Sequence, residues 1–449
     1  MAILGLMTAE SFADERFKNI RRSVFYFYPN GAAPLMGLLS MMKEEVTNDP
    51  EFKWYEKRMQ LQRTTTAAIA STIVIYKTVS LPSTFTVADA NLALAINTQY
   101  GIKVVSNAEF RVDHLIKFNI TLAGGDTQEV IGRVTGISST DKIAFMVIRA
   151  AATIDYDAAA SVGEEVFIVG NAAAEGQVGG ELGSYELPVE ISNYAGISRT
   201  AFRISGTALK TSAKYDETGP YADQAKDYSV KHMIEQEKVK IFGEKHLDTS
   251  TTEIFRYSGG ILWYLRQWEA ANSIYRGGTG AAAITADTND DKRIVTPTGG
   301  YLTPKLYNKY LERVFRVTNN KTNEKLAICG SGFLNVVNEM YEGRTTLNSN
   351  LPSTDTYGMN VTAHETPFGT IYYKTHPLFT QNPVLRNNCL IIDVHNLKNR
   401  PVKGRDTELL TERQIPNADY REDEWFTESG LEFQFPESAM YLQGVVDHR

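Results

Sequence analysis

The 449-residue, 50.1 kDa chain has 43% apolar and 22% charged residues and a mean hydropathy of −0.27, which is the composition of a globular protein with ample side chain for a core. Its 46 Lys and Arg against 53 Asp and Glu leave a net charge of −7, which argues against a chain that wraps nucleic acid through a basic surface. The two cysteines, Cys329 and Cys389, exclude a disulfide-stapled secreted scaffold and fit a reducing compartment, and no run of about 18 apolar residues offers a transmembrane helix.

The apolar start, residues 1–7, lacks a basic n-region and soon meets Glu10, Asp14 and Glu15, so it is not read as a signal peptide. Phe12, Phe17, Ile20 and Val24 then recur at helical spacing, with Asp14 and Lys18 as an i,i+4 pair, and an amphipathic helix is expected over 8–24. Pro34, suited to a first helical turn, opens a second helix over 34–45. Both fit either a core or an arm that packs on a neighbouring chain. β-branched and aromatic residues over 64–81 predict strands. From Ser83 to Tyr185, short β-like runs (102–105, 116–120, 130–134, 143–148, 166–169) are parted by Gly, Asp, Asn and Ser, the pattern of a small all-β sandwich or barrel. This segment holds 12 acids and 6 bases, a net of −6, and so carries nearly all of the charge of the chain. A glycine-rich stretch over 175–183 reads as a linker, and strand-like sequence resumes over 189–209.

The clearest helix runs from Pro220 to His246, with Val230, Ile234 and Ile241 on one face. At 1.5 Å per residue it is about 40 Å long, far above the ~11–12-residue mean. It is either one long helix on a core or a spine that crosses a flat molecule. A polar loop over 277–300 precedes a helix over 304–317. Residues 326–334 read as a strand and a glycine turn that enters a helix ending near Glu342, and strands follow over 369–374 and 389–394. Leu431, Phe433 and Phe435 alternate with Glu432 and Gln434, a half-buried last strand closed by Pro436.

Chemistry-bearing patterns are sparse. The seven histidines (114, 232, 246, 364, 376, 395 and 448) form no His-Glu-x-x-His, and no Cys-x-x-Cys is present. Asp393 and His395 share a strand face but read as a satisfied pair rather than metal ligands. Gly278–Ala283 matches a dinucleotide fingerprint by its letters but lacks the preceding strand and the following helix, which leaves a nicotinamide-dependent oxidoreductase as a distant rival. Gly330-Ser331-Gly332 lacks the Gly-x-Ser-x-Gly frame of a nucleophile elbow, so its glycines are assigned to tight backbone turning. Glu422, Asp423 and Glu424 read as a solvated charge run. No catalytic set, cofactor site or metal site is expected, and the chain is read as no enzyme.

Five stretches in order resemble the major capsid proteins of tailed phages with the Hong Kong phage capsid fold. They are Pro34–Leu39 with Asp49–Trp54; the runs 110–116, 129–135, 162–172 and 175–176; Phe202–Thr207 leading to Glu235, Glu237 and Phe242-Gly243; Arg256–Leu262; and Thr427–Phe433. The resemblance covers residues 34–445. Lys57 stands where a second acid is expected, Arg149-Ala-Ala replaces an Arg-Gly, and residues 1–33 exceed the shared pattern.

The resemblance implies an α+β fold with an inserted all-β barrel or sandwich. Residues 1–50 would be an N-terminal arm and helices, 51–82 with 186–212 an extended loop in which strands 64–81 and 189–209 pair, and 83–185 the inserted domain, whose net charge of −6 is poorly placed facing DNA and is expected to project on the outer surface. Residues 213–325 would be a peripheral domain whose spine helix spans 220–246, 326–400 an axial domain, and 401–449 the return to the peripheral domain. It implies a homo-oligomer of pentamers and hexamers tiling an icosahedral head around double-stranded DNA, without sequence-specific binding. A portal and scaffold or decoration proteins would be partners, with no membrane and no cofactor. The place would be the virion, assembled in host cytoplasm. Phe12, Phe17, Phe25, Phe52, Trp54 and Arg203 are the expected assembly-interface residues. An encapsulin-like compartment shell is the alternative.

Overall fold

The structure is a computed structural model that describes residues 33–41, 44–58, 62–66, 75–80, 84–87, 94–121, 127–138, 141–149, 164–176, 185, 187–211, 219–250, 252–276, 283–286, 289–317, 323–341, 354–356 and 359–447. The backbone divides into two units, Lys57–Pro188 and the remainder, Met1–Glu56 with Val189–Arg449.

In the unit Lys57–Pro188, the short β-like runs find one another. Among the described residues, eight strands form one antiparallel sheet in the order Arg63–Thr65, Glu165–Asn171, His114–Thr121, Thr127–Ile137, Lys142–Arg149, Gln99–Lys103, Ile75–Ser80 and Thr84–Val87. Period-two side-chain alternation sends Ile116, Phe118, Val130, Val134, Phe145 and Val166 to one apolar core. Register shifts at Leu115/Ile116, Ile131/Gly132 and Val134/Gly136 bend the strands. A bridge from Thr66 to Val104 joins the first strand of the order to the sixth, so the sheet curls back on itself. The strands over 63–65 and 75–80 therefore bond within this unit, not to 189–209. Residues 189–194 pair instead with 51–56, from Glu51↔Tyr194 to Glu56↔Val189. β-branched residues specify an extended backbone but not its partner, which is why the pairing of 64–81 with 189–209 expected from the sequence does not form.

The other unit is mixed α and β. Helix Pro34–Met41 turns Leu35, Leu38 and Leu39 to the core. The long helix Pro220–Phe242 stops at Gly243 and spans about 35 Å at 1.5 Å per residue. It packs against strands Gly196–Ser205 and Tyr420–Phe433, which pair along their full common length. Leu397–Pro401 and Glu408–Leu410 occupy the other edge of Tyr420–Phe433. Covered on both edges and both faces, that strand is buried continuously from Phe426 to Phe433, and Glu432 is only 2% exposed. The half-buried alternation expected there is thus absent.

A second sheet holds, among the described residues, seven strands in the order Ile294–Val295, Met440–Leu442, Cys389–Ile392, Glu324–Cys329, Gly369–Thr375, Met359–Thr366 and Thr354–Thr356. Its central strands are apolar on both faces, as a sheet between two layers requires. Leu326, Ile328, Leu390 and Ile392 face helix Ile261–Glu269 through Ile261, Tyr264 and Leu265. Ala327, Cys329, Cys389 and Ile391 face Tyr307, Leu311, Phe333 and Val336, from helices Pro304–Arg316 and Ser331–Tyr341.

Candidate assembly surface and the buried seam behind it

The long helix anchors itself by polar groups. Its buried residues are His232, Gln236, Glu237, Lys240 and Ile241, whereas Val230 and Ile234, expected on its apolar face, are half-buried. Glu237 accepts from the Leu35 amide at 3.0 Å and the Met36 amide at 2.9 Å, so its carboxylate satisfies donors at the start of helix Pro34–Met41. The same carboxylate meets His376 Nε2 at 2.5 Å. Three turns of the fold therefore converge on one buried carboxylate.

Lys240 Nζ donates to Asn399 Oδ1 at 3.1 Å, Ser429 Oγ at 3.0 Å and Gly430 O at 2.9 Å, which uses the three donors of an ammonium. Burial pulls its pKa down to about 7 against that favourable set. His232, lowered by burial, lies 2.8 Å from the Thr200 hydroxyl through Nδ1 and 2.8 Å from the Thr427 hydroxyl through Nε2. Asn193, fully buried, stitches three segments: its Nδ2 donates to Gly259 O and Leu431 O, and its Oδ1 accepts from the Gly259 amide.

At the outer edge of this sheet runs a ladder of ion pairs. Arg203 sits opposite Glu422 in register and meets it at 3.0 Å, with 62% of its side chain exposed, and its guanidinium lies over the Tyr420 ring. Arg199 grips Glu424 with both arms, at 2.7 and 3.0 Å, and this bonding raises its pKa. Asp423 points to the other face and is fully buried. Burial alone would raise its pKa, but the Tyr221 hydroxyl at 2.5 Å, the Glu412 amide at 2.7 Å and Arg421 hold it below the ordinary value. The run Glu422–Glu424 is therefore a cross-strand ladder rather than solvated charge. Asp423 and Glu424 are both buried although they point to opposite faces, because each face of the strand is covered.

Of the residues expected at an interface, Phe12, Phe17 and Phe25 lie outside the described residues. Phe52 and Trp54 are 3% and 8% exposed and belong to the core of their own chain, stacked at 6.1 Å. Trp54 Nε1 donates to Glu56 at 2.9 Å, and the Arg400 guanidinium covers Phe52. Arg203 is exposed on the edge strand, as a contact with another chain requires.

The other patterns resolve locally. Asp393 caps a short turn through the His395 amide at 3.1 Å and pairs with buried Lys325 at 3.4 Å. Gly330 is needed because a Cβ there would stand 2.2 Å from Arg386 O. Ser331 simply opens helix Ser331–Tyr341. Gly278 and Gly280 lie outside the described residues. Among the described residues there is no group of three His, Cys, Asp or Glu able to hold a metal, and no helix long and apolar enough to cross a membrane.

Residues 8–446 match the model of a family described as SU10 major capsid protein. The chain belongs to that family. The resemblance to major capsid proteins read from the five sequence stretches is thereby borne out, and the protein is a capsid protein of the virion whose copies build an oligomeric shell. No curated protein matches. Among solved structures the chain is similar to the capsid of cyanophage A-1(L), at 11% identity and TM-score 0.41 over 62% of this chain and 85% of that one. It is similar also to the capsid of the native GTA particle, at 12% and 0.38 over 60% and 79%. A third is the holo-SrpI encapsulin complex of Synechococcus elongatus PCC 7942, at 8% and 0.36 over 59% and 79%.

Sequence reasoning named Glu237 only within a family-like stretch and His232 and His376 only among the histidines, and it missed Lys240, Asn193 and the seam that all five build. Their one signal is spacing, since 232, 236, 237 and 240 fall on one helical face.

Proposed function

We propose that the chain forms pentameric and hexameric rings that tile an icosahedral head around phage double-stranded DNA, on the Hong Kong phage capsid fold. The family match over residues 8–446 carries this reading. Ring closure needs contacts between unlike faces of identical copies, and the strand Gly196–Ser205 offers one such face. It lies at the edge of its sheet, where backbone donors and acceptors can take a further strand, and it projects Arg199 and Arg203 beside their carboxylates. The second face in this reading is the segment 1–32 of a neighbouring copy, with Phe12, Phe17 and Phe25 as its apolar anchors. Portal and scaffold or decoration proteins would complete a head assembled in host cytoplasm, and the mild net acidity suits a container that confines DNA without gripping it.

We further assign Lys57–Pro188 as an autonomous β-barrel insertion. Drawn at these bounds the unit holds 13 acids and 10 bases, a net of −3, because Lys57, Arg58, Arg63 and Lys77 fall inside it. The electrostatic case for an outward-facing module is correspondingly weaker than the segment 83–185 implied.

Electron microscopy of purified protein tests the main reading. Closed shells or rings are expected, with DNA in particles from infected cells, and Arg203→Glu is expected to lower shell yield while leaving the subunit folded. A chain that stays monomeric across a broad range of concentration and salt would overturn it. Particles filled with an enzyme instead of DNA would favour the compartment reading.

A further inference from the structure

The two cysteines of the chain, Cys329 and Cys389, stand directly opposite each other on adjacent antiparallel strands of the seven-stranded sheet. The next step of the same ladder carries a bond from the Gly330 amide to Asn388 O at 3.1 Å, which makes 330/388 a hydrogen-bonded pair. Antiparallel alternation then makes 329/389 a non-hydrogen-bonded pair, the kind whose Cα atoms approach to about 4.5 Å. A disulfide spans Cα separations of about 4.4–6.8 Å, so the backbone already holds the separation that a bond requires. Both thiols are free and buried, and both enter the layer that contains Ala327, Ile391 and Met440. Burial, and next the Cys329 thiol beside it, raises the Cys389 pKa well above its ordinary value. Cys329 Sγ also donates to Lys374 O at 3.5 Å.

We propose that Cys329 and Cys389 are a reversible redox pair that closes to a cross-strand disulfide when a small hydroperoxide reaches them. One sulfur attacks the peroxide O–O bond, which breaks; a sulfenic acid forms and one water leaves. The second sulfur then attacks the sulfenic sulfur, the S–O bond breaks, a disulfide forms and a second water leaves. Two thiols and one hydrogen peroxide thus give one disulfide and two waters. A buried pair reacts slowly, and only an oxidant small enough to enter the layer will do. The bond would tie the segment 330–388 into a closed loop and so restrict the unfolded chain. The inference stands on the register alone and does not depend on the shell reading.

The test uses the full chain, with and without hydrogen peroxide, quenched by alkylation under denaturing conditions and followed by intact-mass and peptide mass spectrometry. The expected result is loss of both alkylation adducts and one linked peptide pair joining Cys329 to Cys389. A phosphine reductant should restore both adducts, and the oxidised chain should melt several degrees higher. Cys389→Ala, or Cys329→Ala if that variant fails to fold, should show no peroxide-dependent shift in melting. The proposal is overturned if both thiols remain alkylatable after exposure that closes the denatured chain. It is overturned equally if they oxidise separately to sulfinic acids or link only between chains.

Discussion

Replacing Glu237 with alanine is the sharpest single test of the seam. The substitution removes the acceptor of three donors: the Leu35 amide at 3.0 Å, the Met36 amide at 2.9 Å and His376 Nε2 at 2.5 Å. Leu35 is 0% and His376 0% exposed, so water cannot replace the carboxylate at either, whereas the Met36 contact is partly buried. A buried donor left unsatisfied costs about 1–3 kcal/mol. Two full penalties and one partial, less the few tenths that alanine returns as a better helix former, give a loss of about 4 kcal/mol. Urea unfolding followed by the fluorescence of the four tryptophans, Trp54, Trp263, Trp268 and Trp425, reads the total. Amide exchange at Leu35 and Met36 reads the local part, because helix Pro34–Met41 loses the partner of its first donors and should fray. Glu237→Gln keeps one oxygen acceptor and should fall between alanine and the parent. A loss below about 1 kcal/mol with unchanged exchange at both amides would show that Glu237 does not hold that helix, and the reasoning would fail.

Three further outcomes follow from the same geometry. Lys240 binds a proton more weakly folded, at about 7, than unfolded, at 10.5, so between these values the unfolded chain holds more protons and stability rises with pH. Its contribution should grow by about 2.5 kcal/mol from about pH 6 to about pH 9, read as the difference between the parent and Lys240→Met, and a flat difference would refute the burial argument. Gly430→Ala would place a Cβ 2.4 Å from Phe52 Cε1 and 2.8 Å from Tyr194 O. Because one of these is backbone, the variant should lose about 2–3 kcal/mol in denaturant unfolding, and a loss under about 1 kcal/mol would contradict the packing. Deleting residues 1–28 should impair shell formation in electron micrographs far more than it changes the melting of the subunit, and normal shells from the truncated chain would dismiss the arm.

What could be read from the sequence was what apolar periodicity and punctuation encode. Pro304 after Thr303 marks a helix start, and the Thr303 side chain indeed accepts from the Leu306 amide. The apolar runs at Glu324–Cys329 and Cys389–Ile392 mark strands buried on both faces. What could not be read was partnership. Strand 63–65 carries no mark that sends it to 165–171, and Glu432 carries none that buries it beside Arg400 at 3.2 Å. The long helix misled for a related reason. A face built from His232, Gln236, Glu237 and Lys240 looks solvated until the three-dimensional neighbours that satisfy each group are known, because hydropathy scores the group and not its partner. The same blindness made Asp423 look exposed.

The insertion offers the last test, and the ladder between Glu51–Glu56 and Val189–Tyr194 defines it. Glu56 and Val189 are the final register pair of that ladder, directly opposite each other in an antiparallel hairpin whose connection is the whole of 57–188. Directly opposed residues have Cα atoms about 4.5–5.5 Å apart, a gap that a two-residue turn closes. Replacing 57–188 by Asn-Gly therefore asks nothing new of the remaining backbone. It also takes no side chain from either of the two apolar clusters of the remainder, and the cluster it does remove draws all its buried residues from 94–166. The shortened chain should remain soluble, and its melting temperature should stay within a few degrees of the parent transition that tracks Trp54, Trp263, Trp268 and Trp425, since all four indoles lie outside the excised unit. The excised unit, expressed alone, should give its own cooperative β-type transition in circular dichroism. If the shortened chain aggregates while the Asn-Gly turn is intact, the remainder does not fold without the excised unit, and the insertion reading must be abandoned.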